Sequence, residues 1–267
     1  VARCDDAYDH RAVRLLVTND DGIDSPGLHA LAQRMTGLGE VIVFAPSGDY
    51  SGAGSAIGHL GAGIPEVTTL DRHPNMPDVA AVHHLDGPPG LAALLACRGL
   101  FGPPPDVVVS GINPGWNVGH AVHFSGTIGA CITASACGVG GLAISQRRNG
   151  STQRWESAAE AAAGLVDRVV GRPIVLSANV DNLPHHQFRG VRTTSLSDRL
   201  PYNMGRVIRS GSAVSFERGE DAEHPDAVDI GAVLAGYISV SELTPTGVRP
   251  EPPPAPALDG HGDSRAG

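Results

Sequence analysis

Apolar residues in the first two-thirds of this chain fall in short unbroken runs that alternate with stretches at helical spacing. VRLLVT (13–18) is an apolar run of strand length. SPGLHALAQRMTGLG follows, with Ser25 as an N-cap, Pro26 at the first helical position and Leu28, Leu31, Met35 and Leu38 on one face. Gly37 and Gly39 offer a stop, and EVIVFAP (40–46) is the next strand. This is one βαβ unit, and its crossover predicts a parallel sheet. PDVVVSG (105–111), GLAISQ (141–146) and PIVLSANV (173–180) continue the strands. Between them lie a small-residue helix, GTIGACITASACG, and an Ala-rich one, QRWESAAEAAAGLVDRVVG, with Leu165, Val166, Val169 and Val170 on one face.

From about residue 189 the pattern turns to short β-like pieces with polar loops, closed by GYISVSEL (236–243). The expected organisation is a flexible segment over 1–12 and a single α/β domain over 13–244, with a β-rich extension at about 189–240. The Pro/Gly-rich stretch 245–267 is expected to be disordered. At 267 residues and 41% hydrophobic the chain can bury a large core, and with aromatics at only 4% that core must be aliphatic.

The net charge of −9, with arginine as the only strongly basic residue type, argues against a nucleic-acid polymer as partner. The four cysteines, Cys4, Cys97, Cys131 and Cys137, form no C-x-x-C pair, which suits a reducing compartment. The first dozen residues lack the basic start and apolar run of a leader, and no run approaches a membrane span. A soluble cytoplasmic protein is the expectation.

Three polar clusters end three strands: TNDDG after the first, APSGDYSGAGS after the second and SGINPGWNVG after the strand at 106–110. In an open parallel sheet, ligands bind beyond the carboxyl ends of the strands, so Asp20, Asp21, Ser51 and Asn113 are expected to converge. Two adjacent carboxylates repel, and either solvent or a cation must relieve them. The set contains oxygen donors only, which suits Mg²⁺ or Mn²⁺ rather than softer metals. FSGTIGAC adds Ser125, Gly126 and Thr127 at a helix N-terminus, where backbone N–H groups and hydroxyls favour phosphate. Cation site and anion cradle together suggest metal-assisted phosphoryl hydrolysis.

LLVTNDDGIDSPGLHAL, VIVFAPSGDYSGAGSAI, PDVVVSGINPGWNVG and FSGTIGA resemble, in order, the motifs of the SurE family (survival protein E), with weaker matches at NVDNLP and GYISV. The family comprises divalent-metal-dependent 5′/3′-nucleotidases and acid phosphatases. The resemblance implies a Rossmann-like, mostly parallel sheet flanked by helices, with a smaller C-terminal β extension used in oligomerisation. By the same resemblance Asp20, Asp21, Ser51 and Asn113 hold one divalent cation per subunit, and Asp20, Asp21 and Asn113 count as catalytic. Asn117 with Ser125, Gly126 and Thr127 would hold the phosphate, flanked by Asn19 and Gly52, and the chain would assemble as a homodimer or homotetramer. The implied reaction is hydrolysis of nucleoside 5′/3′-monophosphates by a metal-activated water.

The chain departs from the family at DGPPGLAALLAC (86–97), where a G-T-P-x-D-C-like stretch is usual, and at His120, Ala121 and His123 after the SGIN loop. These changes motivate one alternative, a phosphatase of a sugar phosphate or specialised metabolite. A non-catalytic nucleotide-binding protein is a second. His123 is a candidate proton donor to the leaving group, with His120 beside it. His83–His84 and His185–His186 read as solvated loop residues, Cys131 and Cys137 as core. Trp116 either stacks a ring of the ligand or packs its own loop. No G-x-G-x-x-G follows the first strand, which disfavours a Rossmann dehydrogenase, and no P-loop lysine exists, which removes a P-loop NTPase.

Overall fold

The computed structural model describes residues 12–150, 152–198, 204–218 and 224–244. The expectations for 1–11 and 245–267 lie outside the described residues. A nine-stranded, mostly parallel sheet forms the core. In chain order the elements are β1 (Val13–Thr18), α1 (Pro26–Met35), β2 (Gly39–Pro46), β3 (Val67–Leu70), β4 (Ala81–Leu85), α2 (Pro89–Cys97), β5 (Val107–Pro114), α3 (Gly126–Ala136), β6 (Gly140–Gln146), α4 (Trp155–Ala163), β7 (Val175–Val180), β8 (Val191–Thr193), β9 (Met204–Ser210), β10 (Ala213–Arg218), α5 (Asp229–Leu234) and β11 (Ile238–Leu243). Sheet order is β3-β4-β2-β1-β5-β6-β7-β11-β8, with β9 and β10 as a separate antiparallel ribbon.

The unbroken apolar runs are explained by burial on both faces. Leu15 and Val17 of β1 join α1 and α4 in one core, together with Val41 and Val43 of β2. Leu16, Ile42 and Phe44 point the other way, against α2 and α3. Successive side chains of a strand face opposite sides, so a sheet covered by helices on both needs apolar residues at every position. Burying each such Leu or Val stabilises by about 1.5–3 kcal/mol.

Several local expectations change. Helix α1 ends at Met35 with Thr36 as its C-cap, one residue before Gly37, and the Thr36 hydroxyl donates to the Gln33 carbonyl at 2.7 Å. The Ala-rich helix stops at Ala163, with Gly164 as its cap. Leu165, Val166 and Val169 are buried all the same, around a single 3₁₀ turn at Val166–Arg168. Helix α2 occupies the stretch 86–97 that sequence reasoning treated only as an altered motif. His83 is no solvated loop residue: it lies in β4, buried and stacked on Phe101 with ring centroids 4.0 Å apart. His185 and His186 sit in an exposed 3₁₀ turn, as expected. Within the β-rich region, β8 and β11 belong to the main sheet, and in the chain α5 lies between the β9–β10 ribbon and β11. Among the described residues no helix is long and apolar enough to cross a membrane.

What the topology contributes to function is one place. From β1 the chain builds outward through β2 and β4 on one side, and from β5 through β6 and β7 on the other. The strand order therefore reverses between β1 and β5. Helices leave the sheet in opposite directions there, and the gap opens at the carboxyl ends of these two strands.

Candidate active site

The gap is where the paired aspartates lie. Thr18 at the end of β1 is in register with Ser110 of β5, so Asp21 and Asn113 each stand three residues beyond that pair. Gly22 turns the chain at φ +97°, in the left-handed region that favours glycine. The Asn19 Nδ2 group donates to the Gly22 carbonyl at 3.0 Å and closes the turn, while its own Oδ1 is buried and meets no donor.

Asp20 is buried, with its side chain against the start of α3. The Thr127 hydroxyl donates to Asp20 Oδ1 at 2.7 Å. A Cβ on Gly126 would stand 2.7 Å from the Asp20 Cβ and 2.8 Å from Oδ2, so only glycine lets the helix end approach this closely. Burial raises the Asp20 carboxyl, and the Thr127 hydroxyl followed by backbone groups including those of Thr127 and Gly126 oppose it. Ser125 is the N-cap of α3, its Oγ accepting the Ile128 amide at 3.1 Å. The hydroxyls of Ser125 and Thr127 thus serve the helix and Asp20.

Asp21 is pushed up to about 7, first by burial, then by Asp20 and Asp49, with Arg148 pulling the other way. Its Oδ2 is buried and no hydrogen-bond donor reaches it. The loop after β2 is fastened beside the pair: the Tyr50 amide donates to the Asp20 carbonyl at 2.7 Å, and the Ser51 amide donates to Asp49 Oδ1 at 2.8 Å. Ser51 and Gly52 are exposed there. Asn113 sends its Nδ2 to the Gly115 carbonyl at 2.7 Å, leaving the amide oxygen as its ligand group.

These groups fit a hard divalent cation. Two carboxylates in a half-dry turn repel, one keeps an oxygen without a donor, and the neighbouring Asn19 does the same. Among the described residues no three His, Cys, Asp or Glu side chains cluster as a metal site. A cation at the aspartate pair would therefore complete its shell with neutral oxygens such as those of Ser51, Asn113 and water, as Mg²⁺ and Mn²⁺ accept.

Asn117 is held differently from its neighbours. Its backbone amide donates to Asn179 Oδ1 at 2.8 Å, Asn179 Nδ2 donates back to its carbonyl at 3.1 Å, and its side chain donates to Ser145 Oγ at 2.9 Å. Asn113, Ser145 and Asn179 are register partners across β5, β6 and β7, so Asn117 folds back onto a polar row at the strand ends. Two residues on, the Gly119 amide donates at 2.7 Å to Asp229, a fully buried carboxylate of α5. Asp229 also accepts from the amides of Ser197 at 3.0 Å and Ile230 at 2.7 Å. His123 ends the 3₁₀ turn Gly119–His123, exposed, its ring 6.0 Å from that of His120. Sequence reasoning missed Ser145, Asn179 and Asp229. The only available signal was position, since Ser145 and Asn179 lie at the polar ends of apolar strands.

Fold and site together define a doubly wound α/β protein with a carboxylate pair at its switch point. The family model for survival protein SurE matches residues 15–203. The chain belongs to the SurE family. It is 33% identical over 242 residues to the 5′-nucleotidase SurE of Methylobacillus flagellatus, covering 86% of this chain and 92% of that protein. The crystal structure of the SurE protein from Aquifex aeolicus superposes with a TM-score of 0.71 at 26% identity, over 88% of this chain and 94% of that one.

Proposed function

We propose that this chain is a divalent-metal-dependent phosphomonoesterase that hydrolyses nucleoside 5′- and 3′-monophosphates. The observation that carries the reading is the Asp20–Asp21 pair at the switch point, with a buried Asp21 oxygen that no protein donor meets. The likeness to a 5′-nucleotidase over most of the chain supports the reaction class. Asp20, Asp21, Ser51 and Asn113 would hold one Mg²⁺ or Mn²⁺. Such a cation, when bound, lowers the pKa of a water molecule and offsets the charge of the phosphate.

The chain's own groups act around it. Thr127 fixes one oxygen of Asp20, which leaves the other to a ligand. The N-terminal end of α3, from Ser125 through Thr127, turns its positive pole toward the phosphate, and Asn19, Gly52 and Asn117 frame it. His123, exposed beside this end, passes a proton to the leaving oxygen. Exclusion of water from Asp20 strengthens each of these interactions.

The same reading includes a homodimer or homotetramer. In the β9–β10 ribbon Phe216 pairs with Val207 and Val214 with Arg209, and Val207, Val214 and Phe216 are all more than half exposed. A lone two-stranded ribbon is marginal in water, and a second copy of this chain covering its apolar face would stabilise both. Free thiols at Cys97, Cys131 and Cys137 support a reducing, cytoplasmic setting.

Phosphate release over a panel of phosphomonoesters, with EDTA or with added Mg²⁺ or Mn²⁺, tests the function. EDTA-sensitive release favouring nucleoside monophosphates is expected. No release with either ion, or release indifferent to EDTA, would overturn it.

A further inference from the structure

Trp116 stands between Asn113 and Asn117 and is only partly buried, in a chain with two tryptophans. The Arg147 guanidinium carbon lies 5.1 Å from its ring centroid. Both are fixed from below by the sheet continuing past its strands: the Gly115 amide donates to Gln146 at 2.8 Å, and the Arg147 amide to Val180 at 2.9 Å. Asp181 holds the guanidinium edge at 3.4 Å and is itself fixed, its other oxygen accepting the Asn182 amide at 2.8 Å. A chain of net charge −9 thus sets an aromatic ring and an arginine just past the carboxyl ends of β5 and β6, with β5 next in the sheet to the strand that leads into the carboxylate pair.

We propose that Trp116 and Arg147 form a stacking platform for the base of a nucleoside monophosphate. This rests on the phosphomonoesterase reading above and narrows its substrate to phosphates that carry a planar aromatic ring. A sugar phosphate offers the anion but no aromatic ring to stack face to face on the indole. Stacking a base on an aromatic side chain tolerates any base, because every base has a π face. An arginine laid on the indole and locked by Asp181 keeps the platform flat before the ligand arrives, so less ordering is required on binding.

Steady-state hydrolysis of adenosine monophosphate and ribose 5-phosphate by the Mn²⁺-loaded full chain tests this, comparing wild type with Trp116→Leu and Trp116→Phe. The selectivity, kcat/KM for adenosine monophosphate over that for ribose 5-phosphate, is expected to fall about 10- to 100-fold in Trp116→Leu, chiefly through KM, and to be largely kept in Trp116→Phe. A ratio unchanged within threefold overturns the platform and leaves the phosphatase reading standing. Absence of EDTA-sensitive hydrolysis of both substrates in wild type overturns both. Should Trp116→Leu fail to fold, Trp155→Phe leaves Trp116 as the sole tryptophan, excited selectively over the tyrosines. Its emission is then expected to change with adenosine monophosphate and not with ribose 5-phosphate. Equal or absent changes with the two ligands contradict the platform.

Discussion

The Thr127 hydroxyl donates to Asp20 Oδ1 at 2.7 Å, although 107 residues separate the two. Both are buried, so no water replaces this bond if it is lost. Thr127→Val keeps the shape and removes the donor. We expect it to weaken Mn²⁺ binding about 10- to 100-fold, the usual effect of losing a partner behind a metal ligand, while Thr127→Ser stays close to wild type. Isothermal titration measures both.

Asp21 makes the opposite trade. Its folded carboxyl is raised from 3.8 to about 7, so its contribution to stability is present at acid pH and is lost as pH rises across that window. At pH 8 without metal it therefore opposes folding. Asp21→Asn should raise the melting temperature in EDTA at pH 8 by a few degrees, each kcal/mol being worth about 2–4 °C at this size, and should lack the further rise expected of wild type with Mn²⁺.

His29 supplies a second pH dependence. Its Nε2 donates to the Ile23 carbonyl at 2.9 Å, directly behind the aspartate turn, and its ring lies 4.6 Å from that of His73. Burial lowers its pKa from 6.5, with His73 adding to the effect and the Ile23 carbonyl and Asp24 opposing it. Its stabilisation is complete above 6.5 and is lost as pH falls, because the unfolded chain takes up the proton first. His29→Gln should therefore lose less melting temperature than wild type between pH 7.5 and pH 5, as followed by circular dichroism.

Asp229 accepts three backbone amides, and one of them, that of Gly119, ties the C-terminal part of the chain to the site loop. In Asp229→Asn an NH₂ group replaces one acceptor and faces an amide. The expected cost is about 2–4 kcal/mol in urea unfolding. Because Gly119 lies two residues from Asn117, affinity for inorganic phosphate should fall with it.

The turn at Asp20–Asp21, the parallel pairing of the βαβ unit and the helix start at Ser125 were legible because each is signalled by a short local pattern. β4 was not, since His83 and His84 interrupt its apolar run. His83 is buried there because its ring stacks on Phe101, a contact no local pattern announces. Asn179 and Asp229 lay further out of reach, because their partners stand 62 and 110 residues away. What they hold is main chain, which leaves no complementary side chain to find. The candidate ligands were legible as types of donor at strand ends, whereas the contacts around them were not.

The central claim is that oxygens of the aspartate turn and its neighbouring loops share one divalent ion. Calorimetric titration of the metal-stripped chain with Mn²⁺, in wild type and in the Asp20→Asn/Asp21→Asn double variant, addresses it directly. The account predicts one ion bound per wild-type chain and none in the folded double variant. Equal binding by both proteins, or no binding by wild type, would contradict it.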